Sequence, residues 1–250
     1  MGDTAQVGGD RASGAATRSS NARESGRSVW LRPPRVGRNA PQLSRVRIVA
    51  AAVELLDEEG FERLTMRRLA DRLGTGSTTL YWYVDTKDDV IDLAFDAIFA
   101  EASKPERHTD DWRSDITSLL TDWRATLLRH PWTAALAANR RPLLGPEFLA
   151  WMEYLQASLE RAGLKGRAVS AATWVLISHV TGNAASRSSL HFSAEDKLDA
   201  QQLLAEQQDR YPVLVGHRYP SDENWDNNFD NGLNFVLDGL EVQISAENRG

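Results

Sequence analysis

Cysteine is absent from the 250 residues, which excludes disulfides, thiolate metal sites and thiol catalysis. Uninterrupted apolar runs of about 18 residues, the length a membrane helix needs, are missing too. The N-terminal stretch lacks the apolar core of a secretory signal, so a cytoplasmic protein is expected. Histidine is scarce, with five in all. His130, His179, His191 and His217 form no metal-binding pair, and neither a Ser-His-Asp order nor a glycine-rich phosphate loop is evident. No enzyme, catalytic residue, cofactor or metal is expected. The alternation of strand and helix is lacking as well, and the pattern reads as all-α.

An excess of basic charge is also missing. The net charge of −6 would disfavour a polyanionic partner if it were spread evenly. It is segregated instead. Residues 1–43 carry +4, 44–100 carry −4 and 101–250 carry −6. Within 63–87, Arg63, Arg67, Arg68, Arg72 and Lys87 face only Asp71 and Asp85, so this short stretch is +3.

What the chain does have is a compact motif from Thr65 to Lys87. Met66, Leu69, Ala70 and Leu73 recur at i, i+3, i+4 and i+7, one apolar stripe of a short helix. Thr65 is placed to cap it, and Gly74-Thr75-Gly76 stops it, because glycine tolerates the left-handed backbone of a helix end. Ser77 is expected to cap a second short helix from Thr78 to about Tyr83, with Leu80 turned inward. Two short helices joined by such a turn make a helix-turn-helix, whose second helix enters the major groove of duplex DNA. Ser77, Thr78, Thr79, Tyr81, Trp82 and Tyr83 face outward, and hydroxyls and rings suit phosphate oxygens, base edges and thymine methyls. Tyr81 and Trp82 as core aromatics are the competing assignment.

Flanking elements extend the unit. Ser44 is placed to cap a helix with Ile48, Ala51, Ala52, Leu55 and Leu56 on its inner face and Gly60 at its end. Its start, at Arg45 or Arg47, can reach DNA. Thr86 with Asp89 three residues on forms a capping-box pattern, with Asp in place of Glu. Lys87 then lies in the first turn, where free N–H groups favour a phosphate. Val90, Ile91, Ala94, Ile98 and Phe99 mark this helix's buried stripe.

The run from Arg45 to Phe99 resembles the DNA-binding domain of the TetR (tetracycline-repressor) family of bacterial regulators. Matching pieces are Leu64-Thr65-Met66-Arg67-Arg68-Leu69-Ala70, Leu73-Gly74, Thr79-Leu80-Tyr81-Trp82-Tyr83-Val84 and Lys87. The resemblance implies that Arg67, more than Arg68, contacts DNA, that Tyr81 and Trp82 lie on the sugar-phosphate backbone, and that Thr65 and Lys87 belong to the same surface. A ligand-responsive, DNA-binding transcriptional repressor is expected, nucleoid-associated when bound, with activation of transcription as the alternative.

These readings divide the chain into three segments. Residues 1–43, rich in Gly, Ser, Ala and Arg, are expected to form a disordered arm. It is either a solvated tail or one whose Arg27, Arg32, Arg35 and Arg38 follow the DNA. Residues 44–90 form the helix-turn-helix domain and 91–250 a helical ligand-binding and dimerisation domain. In the latter, long helices are expected over Trp112–Leu128, from Pro146 to Gly163, over Arg167–Leu190 and over Phe229–Ile244, with a polar helical stretch at 193–210 and a loop at 211–227.

The helix ending at Ile244 resembles the last helix of the tetracycline-repressor branch. The resemblance implies that it pairs with Arg167–Leu190 in a four-helix homodimer interface. The stripe Phe229, Leu233, Val236, Leu237 and Leu240 and the small residues Ala171, Ala172, Gly182, Ala184 and Ala185 suit that role, or packing within one chain. The resemblance also implies a small-molecule effector among the central helices. Leu119, Trp123, His130, Trp132, Trp151, Tyr154, Trp174, Ser178 and His179 are the candidates, each with plain core packing as the alternative. Aligned with tetracycline repressor, its magnesium-ligand histidine falls at Ala137, its drug-contacting asparagine at Leu119, its pocket phenylalanine at Trp123 and a further pocket histidine at Ser103. Oxygen donors for a hard cation are thereby lost, so an apolar or aromatic effector without metal is expected.

Overall fold

The computed structural model describes residues 28–32, 43–102, 104–136, 143–190, 193–217 and 224–247. Ten α-helices occur among them and no strand: α1 Arg45–Glu59, α2 Met66–Arg72, α3 Ser77–Leu80, α4 Lys87–Glu101, α5 Trp112–Arg129, α6 Pro146–Ala162, α7 Arg167–Ser189, α8 Ala194–Glu206, α9 Pro212–Gly216 and α10 Trp225–Glu247. Three 3₁₀ turns cover Val29–Leu31, Phe61–Arg63 and Pro131–Leu136. None of the described helices is long and apolar enough to cross a membrane.

The chain divides into two compact units. One comprises the described parts of Met1–Ala97 and Asn139–Leu149, the other those of Ile98–Ala138 and Ala150–Gly250. The division falls inside α4, beyond the expected boundary at 90/91.

Local signals build the first unit. The Ser44 hydroxyl accepts from Arg47 N (3.2 Å) and opens α1, and Thr65 does the same for α2 from Arg68 N (3.2 Å). Gly60 and Gly74 leave the two helices at φ 80° and 65°, a backbone region that costs glycine little. Thr86 Oγ1 accepts from Asp89 N (3.1 Å) and Asp89 Oδ2 accepts from Thr86 N (3.1 Å), so the capping box is complete. Ile48, Leu56, Leu69, Ala70, Leu80 and Ala94 are fully buried and form the small core. In the same unit, Asp96 on α4 accepts from Phe148 N (3.0 Å) in the first turn of α6.

In the second unit α7 packs along α5 and α10, with Ile116, Leu120, Leu155, Leu176, Val180 and Leu237 at the centre. Arg124 on α5 ties these helices together. Its Nε donates to Asn183 (2.7 Å), Nη1 to Asp226 (2.8 Å) and Nη2 to Trp225 O (3.2 Å). Its guanidinium lies 4.7 Å from the centre of the Phe229 ring, and His179 stacks on that ring at 5.2 Å.

Several expectations change. Ser77 makes no cap; Gly76 stands at that position, and α3 is only four residues long because Tyr81–Tyr83 leave it as a turn. The loop expected at 211–227 holds α9, with Pro212 in its first turn, and α10 begins already at Trp225. The arm is not wholly free of structure: residues 28–32 fold onto the first unit, with Val29 and Ser28 buried. Arg32 does not reach outward but pairs with Asp85 and Asp89. Arg27, Arg35 and Arg38 lie outside the described residues, as do Ser103, Ala137 and His191.

Candidate nucleic-acid interface and effector site

Leu80 anchors the recognition segment from inside, and the two residues after it point outward. Tyr81 is 46% and Trp82 64% exposed, while Tyr83 is half-buried; Thr78 is exposed and Ser77 and Thr79 are half-buried. The competing assignment of Tyr81 and Trp82 to the core does not hold. Backbone bonds from Tyr83 N to Leu80 O (2.8 Å) and Val84 N to Leu80 O (3.1 Å) close the turn and bury Val84 behind it.

The neighbouring cations differ in a telling way. Arg68 pairs with Glu59, and Arg72 pairs with Glu58 and lies 3.8 Å from Glu54. Arg67 is exposed and has no charged partner among the described residues. Its guanidinium is therefore available to a phosphate, while its neighbours hold α2 to α1. Arg45 is exposed, with its guanidinium 6.0 Å from the Trp30 ring centre. Thr65 spends its hydroxyl on the α2 cap. Lys87 Nζ does not project freely: it donates to Phe61 O (3.4 Å) and lies 4.9 Å from that ring's centre.

The second unit brings some of the expected effector residues together and separates others. Trp123 stacks on Phe99 (3.8 Å, 17° between planes), and Trp151 meets Phe99 edge-on (5.7 Å) and Trp123 at 6.0 Å. Tyr154 lies one turn further along α6, under the His108 ring (4.1 Å, 19°). Trp151 Nε1 and the Tyr154 hydroxyl are buried without a hydrogen-bond partner of ordinary geometry among the described residues, although the Asp115 carboxylate acts on the Tyr154 hydroxyl as an acceptor. Such orphaned donors are costly and uncommon enough to call for an explanation. Burial, and next the Asp115 carboxylate, push the Tyr154 phenol up from its ordinary value, so it remains a protonated donor at neutral pH. Asp115 itself is held by Thr109 N (2.9 Å) and Thr109 Oγ1 (2.9 Å), and His108 Nδ1 lies 3.1 Å from Ser158 Oγ.

His130, with Trp132 at 6.2 Å, makes a 3.0 Å contact to Glu101 from Nε2. Leu119 is entirely buried. His179 is occupied in the core, where its Nε2 contacts Phe229 O at 3.0 Å. Trp174 and Ser178 lie elsewhere: both are on the outer side of α7, and Trp174 is 63% exposed. They line no interior of a single chain. Phe99 and His108, both missing from the expected set, belong to the aromatic cluster. Phe99 was legible only as one apolar position of α4, and His108 stands in a loop without periodicity. No group of three or more His, Asp or Glu able to hold a metal occurs among the described residues.

The expected homodimer stripe also divides. Phe229, Leu233 and Leu237 are buried within the chain, because they face α7 and α5. Ala172 and Ala184 are buried likewise, whereas Ala171 and Gly182 are not. The apolar side chains left outward on α7 and α10 are Trp174, Val175, Phe235 and Val242.

Residues 48–94 match the family described as bacterial regulatory proteins, tetR family, and residues 104–244 match the tetracyclin repressor-like C-terminal domain. An HTH-type transcriptional regulator from Saccharopolyspora erythraea is 40% identical, over 88% of this chain and 94% of its own length. The HTH-type transcriptional repressor DrrR1 of Streptomyces coeruleorubidus is 34% identical, over 84% and 81%. Among solved structures, apo ActR from Streptomyces coelicolor superposes with a TM-score of 0.74 at 30% identity, covering 82% of this chain and 98% of that one. ActR in complex with actinorhodin gives 0.71 at 32% identity, over 80% and 96%.

Proposed function

The chain belongs to the TetR family of transcriptional regulators, with a helix-turn-helix head that binds DNA, and we propose that it acts as a homodimeric repressor of a palindromic operator, released by a small aromatic effector. The observation that carries the reading is the outward surface of the motif. Trp82 is 64% exposed beside Tyr81, and among the described residues Arg67 lacks the acidic partner that Arg68 and Arg72 have. Large exposed aromatics next to an uncommitted cation suit a sugar-phosphate backbone. Ser77, Thr78 and Thr79 at the start of α3 are then the residues that meet base edges.

The homodimer reading rests on Trp174, Val175, Phe235 and Val242. Exposed apolar groups on two neighbouring helices mark an interaction surface, and a palindromic operator calls for two heads about one DNA turn, ~34–36 Å, apart. Phe99, Trp123, Trp151 and Tyr154 support the effector reading. Because Phe99 and Trp123 are already stacked, a flat ring would displace one of them and take its place in the stack, with acceptor atoms for the Trp151 N–H and the Tyr154 hydroxyl. ActR, solved in complex with actinorhodin, offers a precedent for ligand binding in a relative. Helix α4 carries Lys87 at one end and Phe99 and Glu101 at the other, so an effector that prefers one setting of α4 shifts operator affinity. The protein would work in the cytoplasm.

The test is selection of fragmented genomic DNA by the purified chain, followed by footprinting. A palindrome should be protected, Tyr81→Ala should weaken protection, and expression of the adjoining genes should rise on deletion. Wild-type protection by Tyr81→Ala would remove the recognition assignment.

A further inference from the structure

Arg32 lies outside the matched domain, which begins at residue 48, yet it is built into the head. Its Nη1 donates to Asp85 Oδ2 and its Nη2 to Asp89 Oδ1, a fork spanning two carboxylates as only guanidinium geometry allows. Asp89 is completely buried. Its second oxygen accepts from Asp85 N (3.2 Å) and Thr86 N (3.1 Å). A buried carboxylate is tolerable only when paired and hydrogen-bonded, and Arg32 supplies a cation for it, with Arg45 in the field of the same group. The Arg32 side chain is only 10% exposed, so it has no face left for a phosphate. Burial of Val29 and the bond from Leu31 N to Ser28 O (3.0 Å) fix the turn that delivers it.

We infer that Arg32 is a positioning residue for DNA binding: a staple from the N-terminal extension that fixes the joint between the recognition segment and α4. The joint is short. Tyr83 is separated from Asp85 by Val84 alone, and Val84 is pinned by its bond to Leu80 O. Holding Asp85 and the Asp89 cap together fixes where Tyr81 and Trp82 project before DNA arrives, so less ordering remains to be done on binding. The extension therefore strengthens operator binding without touching DNA at this residue. The inference rests on the assignment of Ser77–Tyr83 as the recognition segment.

The test uses the full chain and the duplex that the wild type selects from genomic fragments, with Arg32→Gln, Arg32→Lys and Arg32→Gln combined with Asp85→Asn. Arg32→Gln should bind about tenfold more weakly with an unchanged dependence on salt. Lysine, which cannot bridge both carboxylates, should restore only part of the affinity. The double variant should be no weaker than Arg32→Gln, since partners of one pair do not add. Hydrogen exchange at Thr86, Asp89 and Val90 in the DNA-free protein should accelerate in Arg32→Gln. That measurement decides the staple even if the recognition assignment fails. Unchanged affinity overturns the inference, as does unchanged exchange. A salt slope reduced by about two charges, one for each head, would make Arg32 a phosphate contact and overturn it equally.

Discussion

Gly232 on α10 lies against the imidazole of His179 on α7: a Cβ built there would stand 2.5 Å from Cε1 and 3.3 Å from Nε2. The ring cannot readily move aside, because it stacks on Phe229 and contacts that residue's carbonyl. Glycine is thus the residue that lets these two helices close.

Alanine would ordinarily stabilise a helix interior by about 1 kcal/mol over glycine. Here overpacking should win, and Gly232→Ala should lower stability by roughly 1–3 kcal/mol. In a His179→Ala background the same change should become neutral or stabilising. Urea unfolding of the four proteins measures that reversal; loss of the same size in both backgrounds would show that the ring is not the obstacle.

Arg67 and Arg68 should behave differently despite adjacency. Arg67→Ala should weaken DNA binding and make the slope of log K against log salt shallower by about 1.8, the share of two phosphates, one for each head of the homodimer. Arg68→Ala, which breaks a pair with the half-buried Glu59 and leaves its buried Oε2 without a cation, should leave the slope alone and cost about 1–3 kcal/mol of stability. Titrations at several salt concentrations distinguish the two.

Tyr154→Phe removes a buried hydroxyl that has no partner of ordinary hydrogen-bond geometry among the described residues and only the Asp115 carboxylate as an acceptor. The stability of the effector-free protein should stay within about 1 kcal/mol of wild type, because the loss of the Asp115 interaction is offset by relief of a desolvation cost. Release of the operator should need about tenfold more effector, the equivalent of one hydrogen bond. Effector titrations should therefore shift while thermal melts hardly move.

Asp96 gives a pH signature. Burial raises its carboxyl above the ordinary value, against the lowering effect of N–H groups from Phe148 and Glu147. The folded protein then holds this proton more tightly than the unfolded chain. The contribution to stability is greatest below the unfolded value and is lost as pH rises through the folded one. Asp96→Asn should gain stability relative to wild type as pH rises from about 3 to 7; urea midpoints with equal pH slopes for both proteins would contradict this.

The head was largely legible because its signals are local. Ser44, Thr65 and the Thr86–Asp89 box each mark a helix start through atoms three residues apart, and Gly60 and Gly74 mark ends by backbone conformation. The effector cluster was legible only in part. Periodicity reports that a helix face is apolar, not what covers it. On α7, apolar or small residues occur on nearly every side, so Trp174 on the outer side and Leu176 in the core were indistinguishable. On α10 the strongest stripe belongs to the chain's own α7 and α5, and the outward Phe235 and Val242 lie off it. Residues 28–32 were missed because a single turn has no period, and the partners of Arg32 lie more than fifty positions away.

The distribution of indoles has a practical corollary. Of eight tryptophans, Trp82 and Trp174 are the exposed ones, one on the surface proposed for the operator and the other on that proposed for a twin subunit. Trp123 and Trp151 sit in the aromatic cluster. The molecule therefore contains its own optical probes, and the emission colour of single-tryptophan versions would separate docking on DNA, self-association and effector capture without any added dye.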